Sequence, residues 1–248
     1  MRVIVNADDY GLDENRTRAI QASFRMGAIT QTTAMANMPW FERAMKEARE
    51  LGFVDKVGLH FNLSEGAPLS DEARNCRVLC NPEGRFDKRW HHRLGTRLRL
   101  PKSARQAIAA EAKAQIERYL DCGGRLMHLD SHHHVHTDFS VATILLPIAR
   151  RYGFKSVRRS RTLGVGPSAL KRVYKFFLNR YLRSQLPFAV DHFGGFGDFV
   201  ADRRRLPEAA AVEIMVHPLY GRWDAPDRNG PLVDSADLPM DEVLRVLK

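Results

Sequence analysis

The amino-acid sequence predicts an α/β protein in which mostly parallel strands form an irregular, TIM-like (β/α) barrel. Short apolar segments alternate with helical periodicities along the chain, a pattern typical of parallel α/β folds. About seven such strand–helix units can be counted, and this number favours a barrel. No GxGxxG motif follows the first strand and no GxxxxGKS/T motif occurs, which argues against nucleotide-binding doubly wound folds. We expect the 248 residues to form one domain spanning 1–248.

The predicted strands are short and apolar, and polar residues follow them. Residues 3–5 are a continuous apolar run, as expected for a strand buried on both faces of a parallel sheet. The remaining predicted strands cover 32–37, 56–63, 125–129, 155–158, 188–191 and 212–217. Helical periodicity predicts helices over about 14–26, 40–51, 103–121, 141–152 and 167–186, and a further helix starts within 241–248.

Glycine and serine residues mark the ends of these helices. Gly27, Gly52 and Gly153 each follow the last periodic residue of a predicted helix. Ser103 is expected to cap the helix over 103–121. Residues 64–102 are rich in loop-forming residues, and so long an insertion in a compact domain is usually a functional loop or a lid.

The net charge of +10 is concentrated in two stretches of the chain. Residues 150–184 contain eleven basic residues and no acidic one, and residues 85–105 contain eight basic residues against Asp87 alone. A positive field attracts anionic partners such as nucleic acid, acidic or phosphorylated substrates and anionic lipid, although a solvated basic face is an equally good interpretation.

The helix predicted over 167–186 is basic and amphipathic. Leu170, Val173, Phe177 and Tyr181 recur on one side of it. Helices of this kind can lie on membrane surfaces. We favour the alternative in which this apolar stripe packs against the barrel as one of its walls.

Composition also bears on the compartment. Cys76, Cys80 and Cys122 are too few for a disulfide framework, and we interpret them as reduced thiols of a cytoplasmic protein. We expect neither a secretion leader nor a membrane span, and contact with a membrane surface remains an open alternative.

Five of the ten histidines fall within the nine residues 128–136. Neutral imidazole is the commonest protein ligand for divalent metals, and a short His-rich tract is typical of metal binding. A tag or a solvated run would explain the cluster less well, because it is internal, follows an apolar segment and contains Asp130 and Ser131.

Other chemically active residues follow the remaining strands: Asp8, Asp9, His60, Asp191 and His217. In parallel α/β folds, sites gather at the carboxyl ends of the strands, so these residues should converge. Asp9, His60 and one histidine of the cluster would form a metal site with open positions. Adjacent strand residues point to opposite sides, so Asp8 is better suited to serve as the base than as a second ligand, unless the backbone turns. His217 would serve as an acid, or is simply a strand-end histidine.

Five motifs resemble those of the YdjC-like carbohydrate deacetylase family, and they occur in family order. Residues 6–11 resemble the opening N-A-D-D-F/Y-G, 58–66 resemble G-x-H-x-x-L-S/T-x-G, and 128–136 resemble H-x-D-S-H-x-H-x-H. Residues 191–194 and 213–218 match weaker later motifs.

This resemblance implies a metal-dependent hydrolase on an irregular (β/α) barrel, which removes acetyl groups from N-acetylated amino sugars such as chitooligosaccharides. The implied metal ligands are Asp9, His60 and His132, with Asp8 as the base and His217 as the acid. Magnesium is the usual metal of the family, and two imidazoles with one carboxylate would also suit zinc. The resemblance further implies a homodimer.

Several groups are expected to contact the substrate or to hold the ligands in place: Asp130, His134, His136, Arg158 and Asp191. The basic stretches suggest a phosphate-bearing or lipid-linked amino sugar as the substrate. One alternative is a metal-dependent phosphoesterase acting on a sugar phosphate or another anionic substrate. The other is a non-enzymatic binding protein, although we expect no nucleic-acid partner.

Overall fold

Seven parallel strands form one sheet in the order β5-β4-β3-β2-β1-β7-β6. The computed structural model describes residues 1–164, 166, 168–220, 232–233, 238–239, 243 and 245. The strands are β1 (Arg2–Tyr10), β2 (Gln31–Ala34), β3 (Val57–Phe61), β4 (His128–Ser131), β5 (Ser156–Val157), β6 (His192–Gly195) and β7 (Ala211–Val216). Three short strands, β8 (Pro218–Leu219), β9 (Leu232–Val233) and β10 (Leu238–Pro239), form a separate antiparallel sheet.

Helices flank the large sheet. They are α1 (Glu14–Arg25), α2 (Phe41–Glu50), α3 (Asp71–Arg74), α4 (Leu94–Leu98), α5 (Lys102–Asp121), α6 (Phe139–Arg151), α7 (Ala169–Gln185) and α8 (Phe196–Asp202). Short 3₁₀ segments occupy Val54–Lys56, Lys88–His92, His132–Thr137 and Arg203–Arg205. Among the described residues, no helix combines the length and the apolar character needed to span a bilayer.

The sheet curls so that its two end strands approach each other. The Phe188 N–H donates to the Lys155 carbonyl at 2.9 Å, and the Thr162 N–H donates to the Phe193 carbonyl at 2.8 Å. These bonds connect the chain around β5 to the chain around β6, but a continuous ladder between the two strands is not found within the described ranges. The prediction of a mostly parallel α/β fold is confirmed as a curled, seven-stranded half-barrel, while a complete barrel stays a prediction.

The strands are buried because helices cover the outer face of the sheet. All five residues of β3 are buried, as the apolar character of the segment predicts. Tyr119 of α5 connects this layer, since its hydroxyl lies 2.7 Å from the Val57 carbonyl oxygen and 2.8 Å from the Leu126 carbonyl oxygen. Gly124 follows the helix at a close approach, where an added Cβ would lie 2.3 Å from the Tyr119 ring.

Three predicted boundaries are wrong. The N-cap of α5 is Pro101, and Ser103 lies inside the first turn. The strand predicted over 125–129 is β4 (His128–Ser131), so the histidine cluster begins within the strand. The strand predicted over 188–191 is β6 (His192–Gly195), and Phe188 makes only an isolated bridge with Ser156.

The β6 error has a tertiary cause. The glycine-rich segment has low strand propensity, yet it pairs with β7 along its whole length. At Gly194 an added Cβ would lie 2.8 Å from the Leu163 Cβ and 2.9 Å from a carboxylate oxygen of Asp198. Only glycine permits this close approach, and a local pattern does not reveal it.

Three of the four residues in the apolar stripe predicted for α7 do not pack as a barrel wall, whereas Tyr181 is partly buried against the core. Leu170, Val173 and Phe177 are 80%, 54% and 63% exposed, whereas Leu178 and Leu182 are buried. The helix therefore turns a different side to the core from the one that periodicity suggested. The helix predicted within 241–248 lies outside the described residues apart from Val243 and Arg245.

Residues 64–102 pack against the rest of the protein through buried Leu79, Phe86 and Trp90. Glu111 of α5 fastens the start of this insertion. Its buried carboxylate accepts the backbone N–H groups of Leu69 and Ser70 at 2.8–3.0 Å, and also the Ser70 hydroxyl.

Glu111→Ala should lower the free energy of unfolding by about 2–4 kcal/mol, because two backbone donors would lose a charged acceptor. Urea denaturation measures the change. Glu50→Ala, at an exposed position of α2, serves as the matched control and should change stability by less than about 0.5 kcal/mol. Equal stability of the two variants would contradict this role for Glu111.

Candidate metal centre and catalytic pocket

A cavity of about 830 Å³ lies where β1, β3, β4 and β7 end. Its lining includes five residues singled out from the sequence as metal ligands, base and acid: Asp8, Asp9, His60, His132 and His217. His134 also lines it. The structure thus brings together residues that are more than 200 positions apart in the sequence, as the parallel topology predicts.

The backbone turns at Asp9, and both aspartates face the same cavity as a result. Asp9 has a φ of 70°, in the left-handed region that non-glycine residues rarely adopt. The pairing of β1 with β2 shifts there, since Ala7 lies opposite Thr32 while Tyr10 lies opposite Ala34. Because of this irregularity, the side chains of Asp8 and Asp9 do not point to opposite sides of the strand. The sequence analysis allowed for this case, in which the backbone turns.

Asp9, His60 and His132 form the first of three buried groups, among the described residues, whose ligand atoms lie within 4.8 Å of one another. The Asp9 Oδ1 lies 3.3 Å from the His60 Nε2 and 2.9 Å from the His132 Nδ1. One carboxylate and two imidazoles are a donor set that divalent metals accept.

The other two groups share Asp130: one contains Asp8 and His60, and the other contains His128 and Glu213. Three of their carboxylates are already bound by a guanidinium. Arg158 donates to both oxygens of Asp8 at 2.6 and 2.7 Å, to Asp130 at 2.7 Å and to Glu213 at 2.5 Å. A second cation would have to compete with Arg158, so the first group fits a metal best.

Asp130 lies behind His60 and orients its ring. The Asp130 Oδ1 is 2.7 Å from the His60 Nδ1, and the Thr33 hydroxyl donates to the Asp130 Oδ2 at 3.0 Å. With Nδ1 engaged in this way, Nε2 faces Asp9. Such a carboxylate–histidine pair fixes the tautomer and the direction of a metal-binding imidazole.

The shifted pKa values of Asp8 and His60 reflect a surplus of negatively charged side chains around the cavity. Burial raises the pKa of Asp8, but Arg158 more than offsets this effect and holds the pKa below its ordinary value. Burial lowers the pKa of His60, but Asp130, Asp9 and Asp8 together raise it to about 10. Three buried carboxylates, those of Asp8, Asp130 and Glu213, surround the Arg158 guanidinium, and the Asp9 carboxylate lies nearby at His60. A divalent cation would neutralise the same surplus in competition with protons.

The histidine cluster folds into a tight turn. His133 and His134 have φ values of 50° and 56°, so two consecutive non-glycine residues are left-handed. Such residues cost on the order of 1–3 kcal/mol each and cluster at functional sites. The turn allows the His132 Nδ1 to reach Asp9 while the His133 Nδ1 lies 2.9 Å from the Ser64 hydroxyl.

The remaining histidines of the cluster differ in their surroundings. His136 is buried away from the cavity, between the Ser131 hydroxyl at 2.5 Å and the Arg158 carbonyl at 3.0 Å, and burial lowers its pKa to about 3. Burial lowers the pKa of His134 to about 4, and its Nδ1 has no hydrogen-bond partner among the described residues. His128 contacts the Ser156 hydroxyl. His136 therefore supports the site, whereas His134 faces it.

His217 follows β7 and lines the cavity beside Asp8. Its Nε2 is 3.9 Å from the Asp8 Oδ2, and its side chain is 32% exposed. Because it is partly exposed and lines the cavity, it can reach a molecule bound there.

Four predicted site residues do not line the cavity: Asp130 and His136, described above, and Arg158 and Asp191. Arg158 is fully buried and acts only through the carboxylates that it binds. Asp191 is exposed just before β6, at the opposite end of that strand, where it bonds the Ala211 backbone. The structure therefore does not bring Asp191 to the site. The error follows from the misplaced strand, because residues 188–191 come before β6 rather than forming it.

Sequence reasoning missed three residues of the site. Glu65 lies 2.9 Å from the His132 Nε2, and Arg16 lies 3.9 Å from the Asp9 carboxylate. Asn6 donates to the Asp8 Oδ1 at 2.7 Å. Glu65 and Asn6 fall within two of the motifs quoted above, and their place in these motifs could have indicated that they belong to the site. Arg16 belongs to a helical surface pattern and carried no signal.

A second, smaller cleft of about 270 Å³ shares His133 and His134 with the main cavity. Arg97, Arg161 and Lys175 also line it. Arg97 pairs with Asp138 at 2.5 Å and Arg161 pairs with Asp198, while the Lys175 ammonium donates to the Arg161 carbonyl at 2.9 Å. Both basic stretches of the sequence thus contribute to one cleft beside the cavity.

Several known proteins are similar to this chain. It is 35% identical over 222 residues to a carbohydrate deacetylase of Geobacillus stearothermophilus. The aligned region covers 88% of this chain and 79% of that relative. It is 36% identical over 225 residues to a carbohydrate deacetylase of Vibrio cholerae, with 89% and 79% coverage. A carbohydrate deacetylase of Brevibacillus brevis is 36% identical over 229 residues, with 89% and 82% coverage.

A solved structure has the same fold. It is the structure of an Enterococcus faecalis protein provisionally described as a cellobiose-phosphate cleavage protein. The two structures superpose with a TM-score of 0.67 at 23% sequence identity, and the match covers 89% of this chain and 82% of that one. The sequence model of the family described as YdjC-like protein matches residues 2–239. With this match and more than 30% identity to carbohydrate deacetylases over most of its length, the chain belongs to the YdjC-like family.

Proposed function

We propose that this protein is a metal-dependent hydrolase that removes the acetyl group from an N-acetylated amino sugar. The observation that carries the proposal is the convergence of Asp9, His60 and His132 in one cavity with Asp8 and His217 beside them. The relatives named carbohydrate deacetylases support the sugar substrate.

Asp9, His60 and His132 would hold the divalent metal. When bound there, a metal polarises a carbonyl and lowers the pKa of a coordinated water. Magnesium follows from the family resemblance, and the two imidazoles suit zinc as well. Asp130 holds the His60 ring in the ligating orientation, and Glu65 contacts the far side of His132.

Asp8 is the proposed base. Arg158 and Asn6 hold its carboxylate in place, and its lowered pKa keeps it ionised at neutral pH. It would accept a proton from the water that attacks the acetamide carbon. His217 would donate a proton to the departing amine, so the C–N bond breaks to give acetate and a free amino sugar.

The substrate would carry an anionic or lipid-linked group in addition to the sugar. The smaller cleft supports this, because it adjoins the cavity and is lined by Lys175, Arg97 and Arg161. Proton transfer and amide cleavage need no such charges, whereas a phosphate next to the sugar would.

The phosphoesterase alternative is less well supported. Two-metal phosphoester hydrolysis needs further carboxylates for a second ion. Arg158 already binds two carboxylates beside the proposed ligands, Asp8 and Asp130, although Glu65 also lies 2.9 Å from the His132 Nε2.

Asp9→Asn should reduce acetate release from N-acetylglucosamine oligomers and from their phosphate-bearing analogues at least about 100-fold, because a charged metal ligand is lost. Chelation should have the same effect on the unaltered protein, and calorimetry should show weakened metal binding by the variant. Asp55→Asn, at an exposed position of the 3₁₀ segment Val54–Lys56, is the control. Full activity after complete metal removal, or in Asp9→Asn, would rule out the proposal.

His217→Asn should lower the turnover of N-acetylated sugars about 100-fold but the turnover of p-nitrophenyl acetate far less, because p-nitrophenolate leaves without protonation. Asp8→Asn should lower both activities, since both need the base. Equal losses on the two substrates for His217→Asn would contradict its role as the acid.

A further inference from the structure

Helix α7 carries apolar side chains on two nearly opposite sides. Its inner side buries Leu178 and Leu182 in the core. Its outer face exposes four large apolar side chains: Leu170 (80%), Val173 (54%), Phe176 (66%) and Phe177 (63%). With 3.6 residues per turn these four side chains fall on one side of the helix. Water-exposed clusters of this kind mark interaction surfaces.

The same helix is strongly basic. Five basic residues and no acidic residue lie within Ala169–Gln185: Lys171, Arg172, Lys175, Arg180 and Arg183. Helical geometry places Arg180 among the outer apolar residues and Arg172 beside them. Within the described part of the chain, no carboxylate lies within ion-pair distance of either guanidinium. The outer face therefore offers apolar groups together with uncompensated positive charge.

This combination discriminates between possible partners. A second copy that packed the same face about a two-fold axis would bring two helices with five basic residues each against one another, which is electrostatically unfavourable. Nucleic acid would satisfy the cations but would leave four large apolar side chains without a suitable environment. The boundary of an anionic bilayer accepts both kinds of group, since apolar side chains enter it while Lys and Arg remain at the headgroups.

We propose that the outer face of α7, formed by Leu170, Val173, Phe176 and Phe177 with Arg172 and Arg180, docks on a membrane surface that contains anionic lipid.

Docking would place the catalytic side of the protein near the bilayer. Lys175, on the inner side of the same helix, lines the cleft that shares His133 and His134 with the main cavity. A lipid-linked amino sugar could then be reached without leaving the membrane. This consequence rests on the proposed function, whereas docking itself does not.

Vesicle flotation of the full chain tests the proposal. The probes are phosphatidylcholine vesicles with roughly one-third phosphatidylglycerol and vesicles of phosphatidylcholine alone. We expect binding to the anionic vesicles, weaker binding to the neutral ones, and weaker binding as salt is raised. Phe176→Ser/Phe177→Ser and Arg172→Glu/Arg180→Glu should each reduce the partition coefficient at least about tenfold.

Matched controls change the same properties elsewhere. Leu51→Ser removes an exposed apolar side chain after α2, and Lys46→Glu/Lys113→Glu makes the same change in charge on α2 and α5. Both should bind within about twofold of the unaltered protein. Acetate release from a soluble substrate should be retained by Phe176→Ser/Phe177→Ser, which separates failure of docking from failure of the proposed function.

Three results would overturn the proposal. The first is no binding of the unaltered protein to anionic vesicles. The second is unchanged binding by both α7 variants. The third is a dimer in solution that Phe176→Ser/Phe177→Ser converts to a monomer by light scattering, because the face would then be an interface between two copies.

Discussion

The guanidinium of Arg158 is the interaction on which the interior of the half-barrel depends. It follows β5 and binds carboxylates from β1, β4 and β7, so one fully buried cation connects four strands of the curled sheet. A buried charge without partners costs several kcal/mol, and removal of one partner from such a set typically costs about 3–5 kcal/mol. The buried carboxylates and the buried arginine are therefore compatible with a stable fold only when they are paired with one another. Two of these carboxylates also serve the site: Asp130 orients His60, and Asp8 faces His217.

Backbone strain supplies the second constraint. The left-handed conformation at Asp9 turns its carboxylate towards His60 and His132, and the left-handed pair His133 and His134 turns the cluster back over the cavity. Each such residue lowers stability, and each is held by buried neighbours. The donor set is consequently preorganised by the same packing that forms the sheet ends, rather than by flexible loops.

Much of this could be predicted from the sequence. Apolar runs and glycine stops located most strands and helices, and the rule that sites form at strand ends brought Asp8, Asp9, His60, His217 and the histidine cluster together. The family resemblance then singled out His132 within the cluster. The sequence predictions that failed depended on contacts between residues that are far apart in the chain. The β6 strand at His192–Gly195 exists because Leu163 and Asp198 pack where only glycine fits. The exposed outer face of α7 looks like a core stripe in the sequence, because periodicity shows that a face is apolar but not what covers it. Arg158 was expected near the site, but its pairing with three carboxylates could not be predicted, because those carboxylates are distant in sequence.

The central claim is that Asp9, His60 and His132 are the metal ligands, while Asp8 and Asp130 belong to Arg158. Anomalous diffraction from crystals of the full chain grown with Mn²⁺ tests it most directly. The account predicts one strong peak at about 2.0–2.3 Å from donor atoms of all three ligands, with the Arg158 pairs intact. A peak held instead by Asp8, His60 and Asp130, with Arg158 displaced, would contradict it.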